Sequence, residues 1–238
     1  MSRHDEIQNA YRYLGKEATL YDGMITCSTL PGSAICRLVW NMNKAANTRY
    51  LEMAMRGVPD GFDGRMLEVP VGTGVLTMPL YKTIPHADVT CLDYSADMMA
   101  VAQRRAENMC LSNIRFQQGD VSALPFADES FDLVLSLNCF HAFPDKEAAY
   151  REIFRVLKPG GVFCGCFYIE GENRRTDWFI RHLYVPKGFF TPPFETKDSL
   201  RGRLESMYAD VNVETAESMA CFTCRKRRKD VRRNESGL

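Results

Sequence analysis

The chain has 238 residues, of which 45% are apolar, 25% charged and 11% aromatic. This length and composition predict one globular unit with a sizeable core and exclude an intrinsically disordered chain. Lys plus Arg equal Asp plus Glu at 30 each, so no overall charge attracts the protein to nucleic acid or to an anionic membrane.

The first residues and the cysteines bear on the compartment. The N-terminal stretch carries charges where a signal peptide needs an apolar core, and no apolar run approaches the roughly 18 residues of a membrane helix. With nine cysteines, an odd number, these features predict a cytoplasmic location and no membrane span. Cys221 and Cys224 form a single CxxC, so we expect no metal site and interpret the cysteines as small buried hydrophobes.

Residues 1–58 are predicted to form a helical cap. Helical spacing begins in the first 21 residues, breaks at Pro31 and Gly32, and resumes over 34–56. A turn-rich stretch at 57–64 then leads into a domain that we expect to span 59–225.

From residue 65 onward, short apolar runs alternate with longer helical ones. This alternation predicts a doubly wound, mostly parallel seven-stranded sheet of the Rossmann-like α/β class, closed by an antiparallel hairpin. The predicted strands are 65–70, 88–93, 113–118, 131–137, 161–169, 211–216 and 217–225. The predicted helices are 74–83, 95–110, 145–157 and 197–208.

Two segments depart from this rhythm. Residues 170–200 are rich in aromatic residues and proline, which predicts a short helix and an irregular lid inserted in the domain. Residues 226–238 are expected to be a basic, disordered tail, since 225–238 hold seven basic and two acidic residues without any aromatic side chain. An arm that binds RNA is the alternative for this tail, but we expect no nucleic-acid partner.

The loops that follow the first three strands carry the chemical signals. In a doubly wound sheet, a ligand lies outside the carboxyl ends of the strands. Gly72 and Gly74 after the first strand let the backbone approach a ligand, and Asp93 after the second can accept both hydroxyls of a ribose. After the third strand, Asp120 can accept from an exocyclic amine and Val121 can cover a purine ring. Each signal is weak alone, but their order along the sheet predicts a nucleoside-like ligand.

With LEVPVGTGVLT, CLDYSADMM, FQQGDVSALPFADESFDLVLS and FRVLKPGGVF, the chain resembles class I S-adenosylmethionine-dependent methyltransferases over about 64–168. The nearest branch contains the ubiquinone and menaquinone biosynthesis methyltransferases, known as methyltransferase type 11. One departure is Pro70, where the glycine loop of that family has its first glycine. The resemblance implies S-adenosylmethionine as cofactor, held by Glu68, Gly72, Thr73, Gly74, Asp93, Tyr94, Met98, Gly119, Asp120, Val121 and Asn138.

Methyl transfer from a sulfonium is an in-line displacement that depends mainly on positioning. We expect a small, planar or aromatic acceptor, with His141 or His182 as the candidate general base if one is needed. Packing roles are the alternative for both histidines and for the aromatic residues expected to contact the acceptor, which are Tyr11, Tyr21, Trp178 and Tyr184.

Two other functions stay open at this stage. A nicotinamide-dependent oxidoreductase also has a glycine loop and a strand-end acid, but its fingerprint needs a third glycine where Thr77 stands. A non-catalytic module would use the basic tail to bind RNA and would have no physical need for the glycine loop, Asp93 and Asp120.

Overall fold

The computed structural model describes residues 18–228, with side chains from residue 21 onward. Tyr11 and the end of the tail, 229–238, lie outside the described residues. Within them, the cap consists of three helices, α1 (Ala18–Ile25), α2 (Leu30–Val39) and α3 (Lys44–Met55). No helix in this described range is long and apolar enough to cross a bilayer.

Pro31 and Gly32 lie in the first turn of α2, so the break predicted at these two residues is wrong. Thr29 caps this helix, and its hydroxyl oxygen accepts from the Gly32 N–H at 3.1 Å. A proline is well suited to a first helical turn because its missing N–H would have no intrahelical acceptor there. The chain instead leaves the helical path between α1 and α2, at residues 26–29.

The predicted sheet is confirmed, with seven strands in the order β3-β2-β1-β4-β5-β7-β6. The first five strands run parallel to one another, and β7 runs antiparallel to β5 and β6. The strands are β1 (Arg65–Glu68), β2 (Asp88–Asp93), β3 (Ile114–Gln118), β4 (Phe131–Leu137), β5 (Leu157–Tyr168), β6 (Ala209–Ala216) and β7 (Met219–Arg225).

Helices cover both faces of the sheet. One core cluster joins the cap, the first two crossover helices and the lid, and a second cluster lies on the opposite face beneath the two remaining helices. The crossover helices are α4 (Thr77–Thr83), α5 (Ala96–Asn108), α6 (Lys146–Val156) and α8 (Lys197–Met207).

Two boundaries differ from the prediction for identifiable reasons. The helix predicted from residue 74 begins at Thr77, because the glycine loop keeps positive φ angles up to Gly74. The fifth strand begins at Leu157 instead of residue 161. Leu157 pairs with Phe131 of β4, and the strand continues through Gly160, whose N–H donates to the Lys226 carbonyl at 2.8 Å.

The lid comprises α7 (Arg174–Phe179), a π-helical turn at Ile180–Tyr184, and irregular chain as far as α8. This arrangement agrees with the predicted short helix and irregular segment. Ile180 and Phe190 are buried and pack into the same core cluster as α3.

Candidate functional site

A cavity of about 1050 Å³, measured to its open mouth, lies at the carboxyl edge of β1, β2, β3 and β4. It sits where the strand order reverses between β1 and β4, the usual ligand position in this fold. Every residue that the sequence assigned to the cofactor lines it, and so does Tyr21 of the cap: Glu68, Gly72, Thr73, Gly74, Asp93, Tyr94, Met98, Gly119, Asp120, Val121 and Asn138.

The loop after β1 forms one wall of the cavity. Gly72 and Gly74 have φ angles of +57° and +67°, in the left-handed region that only glycine adopts readily. A Cβ atom on Gly74 would also lie 2.7 Å from the Met78 Cε atom. The Val69–Pro70 peptide bond of this loop is cis. Both glycines are therefore required by the backbone path that surrounds the cavity.

Asp93, at the end of β2, is buried and tied to the backbone of two loops. Its Oδ2 atom accepts from the Gly72 N–H at 2.7 Å, and its Oδ1 atom accepts from the Ser95 N–H at 2.8 Å. Burial raises the pKa of this carboxyl to about 6, although these N–H groups favour the ionised form. Each oxygen keeps a lone pair with which it can accept from a ligand.

Glu68, at the end of β1, is 1% exposed. Its Oε2 atom accepts from the Tyr81 hydroxyl at 2.6 Å and lies 3.6 Å from the Cys91 thiol. Burial raises the pKa of Glu68 to about 8, which favours the neutral acid at pH 7. A cation placed beside this group would favour its ionised form.

The loop after β3 forms another wall of the cavity. The Gly119 N–H donates to the Asp93 carbonyl at 3.0 Å, which joins the ends of β2 and β3. Asp120 caps a 3₁₀ turn, since its Oδ1 atom accepts from the Ser122 N–H at 2.8 Å. Val121 is buried and gives this wall an apolar surface.

Asn138 follows β4 and has a φ angle of +56°, which asparagine tolerates better than most residues. Its N–H donates to the Cys166 carbonyl at 2.7 Å. Its side-chain Oδ1 atom accepts from the hydroxyl of Tyr50, a buried residue of α3. The cap therefore reaches the floor of the cavity through Tyr50.

Two charged residues that the sequence reasoning missed fasten the cap to the glycine loop. Asp22 of α1 accepts from the Thr73 hydroxyl at 2.5 Å and from the Arg105 guanidinium at 2.6 Å. Arg105 also donates to the Thr73 carbonyl. Asp22 and Arg105 belong to no motif and lie 83 positions apart, so no local signal in the sequence could have paired them.

Tyr21 precedes Asp22 on α1 and lines the cavity. Burial and the nearby Asp93 carboxyl raise the pKa of Tyr21 above its usual range, so its hydroxyl stays protonated. Of the three described aromatic residues expected to contact an acceptor, Tyr21 is the one that the structure brings to the cavity, since Trp178 and Tyr184 do not line it.

The two candidate histidines do not line the cavity. His141 is buried, stacks on Phe190 with 3.9 Å between ring centroids, and accepts from the Tyr168 N–H at its Nδ1 atom. Burial and the nearby Lys146 lower the pKa of His141 to about 3. His182 is exposed and stacks on Trp178 at 4.8 Å.

The lid aromatics also lie away from the cavity lining. Trp178 is 53% exposed. Tyr184 packs against Trp40 and Phe190, with ring centroids 6.2 and 5.3 Å away. These contacts favour packing roles for the lid aromatics. Among residues 18–228, no group of three or more His, Cys, Asp or Glu side chains is arranged to hold a metal ion.

Comparison with known proteins supports the sequence motifs. Residues 66–161 match the model of a family described as a methyltransferase domain. This match confirms, for that segment, the resemblance to S-adenosylmethionine-dependent methyltransferases.

Similar proteins fall into sequence relatives and structural neighbours. The demethylmenaquinone methyltransferase of Thermus thermophilus is 39% identical over 113 residues, which cover 48% of this chain and 49% of the relative. The chain thus spans about half the length of the curated relatives that it matches.

Two solved structures have the same fold. Phosphoethanolamine N-methyltransferase 2 of Haemonchus contortus, with phosphomonomethylethanolamine and S-adenosylhomocysteine bound, has a TM-score of 0.73 and 19% identity over 96% of this chain and 61% of its own. The [4+2]-cyclase SpnF has a TM-score of 0.69 and 19% identity over 93% of this chain and 96% of its own. At this identity, the likeness shows the fold alone.

Proposed function

We propose that the protein is an S-adenosylmethionine-dependent methyltransferase that transfers a methyl group to a small, planar acceptor. The main support is that groups suited to three parts of the cofactor line one cavity in the order of the strands β1, β2 and β3. The name of the Thermus relative adds support for a quinone-like aromatic acceptor.

The residues of the cavity fit the proposed cofactor. Asp93 would accept the ribose hydroxyls, and the glycine loop, which has no Cβ atom at Gly72 or Gly74, would leave room for the amino-acid end. The buried Glu68 suits the cationic amine at that end, since a nearby cation stabilises its ionised form. Asp120 and Val121 would hold the adenine, the former as an acceptor and the latter as an apolar cover.

Catalysis in this cavity depends on positioning. When bound, the cofactor supplies a methyl group activated by the positive charge on sulfur. The chain's own residues exclude water and hold the acceptor in line, which can contribute up to roughly 7 to 11 kcal/mol. No histidine is among the described residues that line the cavity, and we assign no proton-transfer role to His141 or His182.

The alternative functions lack comparable support. The place of the third glycine in a nicotinamide fingerprint is occupied by Thr77, the first residue of α4. The likeness to a cyclase shows that this fold alone does not specify methyl transfer. The proposal therefore rests on the residues of the cavity.

Isothermal titration calorimetry tests this proposal. We expect S-adenosylmethionine and S-adenosylhomocysteine to bind with micromolar affinity, and Asp93→Ala to weaken both by about tenfold or more, because a hydrogen bond to a charged group contributes about 1.5 to 3 kcal/mol. Asp88→Ala, on a partly exposed residue at the start of the same strand, is the matched control. Binding of NADH together with no binding of either sulfur compound would refute the proposal.

A further inference from the structure

The orientation of the Asn138 amide is determined by the cap. The Tyr50 hydroxyl donates to the Asn138 Oδ1 atom, and the Cys166 thiol points to the same oxygen at 3.8 Å. Tyr50 and Cys166 are also in contact, with 3.2 Å between Oη and Sγ. Because the Tyr50 hydroxyl donates to Oδ1, the amide nitrogen lies on the other side of the group.

The Asn138 amide nitrogen remains available to a ligand. Nδ2 forms no hydrogen bond with any residue in the described range. Asn138 is only partly buried, and Nδ2 remains accessible to solvent. Asn138 itself lines the cavity. Its side chain therefore offers the cavity two N–H donors and no acceptor.

We propose that Tyr50 is a positioning residue that holds Asn138 as a hydrogen-bond donor, so that the site selects acceptors with a carbonyl or oxyanion beside the methylated atom over protonated amines. This inference rests on the proposed function and narrows its acceptor class. An ammonium group at this position would face N–H donors without an acceptor, and an unpaired buried polar group is costly. A carbonyl or oxyanion would accept directly from Nδ2.

Two features of Tyr50 suit it to this role. It is 3% exposed, and α3 packs against β5, β6 and β7, so the ring has a fixed place in the core. Burial raises the pKa of its hydroxyl well above the usual value, so the group remains a proton donor at physiological pH. A phenylalanine at this position keeps the ring and removes only the donor.

The test compares two probes that share one bicyclic skeleton, 1-tetralone and 1-aminotetralin. The first presents a carbonyl oxygen and the second an ammonium group. Their affinities are measured by calorimetry on the full chain saturated with S-adenosylhomocysteine. We expect the native protein to bind the ketone at least tenfold more tightly than the amine.

Two variants separate positioning from structure. Tyr50→Phe frees the amide to turn, and we expect the ketone preference to fall below threefold while S-adenosylhomocysteine affinity changes by less than twofold. Asn138→Asp replaces the donor by an acceptor, and we expect it to reverse the preference. The control is Tyr208→Phe, because Tyr208 is buried on the opposite face and its hydroxyl is unpaired among the described residues.

The affinity ratio is the deciding quantity, since a purely structural role of Tyr50 would change stability without changing that ratio. A native protein that does not prefer the ketone overturns the inference, and so does a Tyr50→Phe variant with the native ratio. If Tyr50→Phe does not fold, an Asn138→Asp variant that still prefers the ketone overturns it. Failure of S-adenosylhomocysteine to bind contradicts the proposed function itself, and the inference with it.

Discussion

Asp93 and Glu68 place two buried carboxyl groups at the edge of the cavity, and burial raises the pKa of each. For Asp93, the ordinary pKa of 3.8 becomes about 6 in the folded chain. The folded state therefore holds a proton that the unfolded state releases. The contribution of Asp93 to the free energy of unfolding falls as pH rises from about 4 to about 6, and the loss is complete above that range.

The same group predicts how pH changes ligand binding. Ribose hydroxyls donate to the ionised carboxylate, so we expect the affinity for S-adenosylhomocysteine to fall as pH drops below about 6. The decrease approaches tenfold per pH unit if protonated Asp93 cannot bind the ligand. Calorimetry between pH 5 and pH 7 measures it, with Asp93→Asn as the comparison. An equally steep decrease in Asp93→Asn would assign the titration to another group.

At the scale of elements, α1 is fastened to the glycine loop and to α5 through Asp22, Thr73 and Arg105. The Arg105 and Asp22 side chains are 27% and 15% exposed, so this ion pair is partly shielded from solvent. Loss of Arg105 would free α1, which brings Tyr21 and Ile25 to the cavity. The cap and the glycine loop are therefore coupled through Asp22 and Arg105.

We expect Arg105→Met to weaken S-adenosylhomocysteine binding by about threefold to tenfold and to increase amide hydrogen exchange in α1. The reason is that Arg105 forms charged hydrogen bonds, which contribute about 1.5 to 3 kcal/mol. Without them, α1 and the glycine loop open more often. Arg104→Met, one position earlier and exposed, is the matched control. Native exchange rates in α1 of the Arg105→Met variant would show that Arg105 does not hold the cap in place.

Elements were predictable where a local pattern determines them. Buried parallel strands have short apolar runs in the sequence, which made them recognisable. Ser95 and Asp145 cap α5 and α6 as the sequence predicts. Pro31 was misread because proline both breaks helices and begins them. The early start of β5 depends on pairing of Leu157 with Phe131 and of Gly160 with Lys226, and no local pattern indicates such distant partners.

At the scale of the whole molecule, the segment just after β7 takes part in the fold. Lys226, which the sequence assigned to the basic tail, is 9% exposed. Its Nζ atom donates to the Phe154 and Leu157 carbonyls at 2.6 and 2.7 Å and lies over the Phe154 ring. The ammonium group thus completes the end of α6. The tail assignment is therefore wrong for Lys226.

Two truncations test this boundary. Deletion of 229–238 should leave the melting temperature and S-adenosylhomocysteine affinity unchanged. Deletion of 226–238 should destabilise the fold by about 1 to 3 kcal/mol, because two carbonyl groups lose their donor. Thermal unfolding compares the two proteins with the full chain. Equal stability of both truncated chains would show that Lys226 contributes nothing.

The site was predictable to the extent that it is local in sequence. The loops after β1, β2 and β3 carry carboxyl groups that line the cavity within a few residues of a strand end. The pattern therefore predicted Asp93 and Asp120 at this edge, and the family resemblance added Glu68. The contacts of Tyr50 with Asn138 and of Asp22 with Arg105 join residues 88 and 83 positions apart. The outward position of Trp178 likewise depends on how the lid packs, which no motif records.

The central claim is that this cavity holds S-adenosylmethionine, and a crystal structure of the full chain with S-adenosylhomocysteine tests it most directly. The account predicts both ribose hydroxyl oxygens within hydrogen-bond distance of the Asp93 carboxylate, the adenine against Val121, and the amino group near Glu68. A ligand bound elsewhere, or one in this cavity whose ribose does not reach Asp93, would contradict the account.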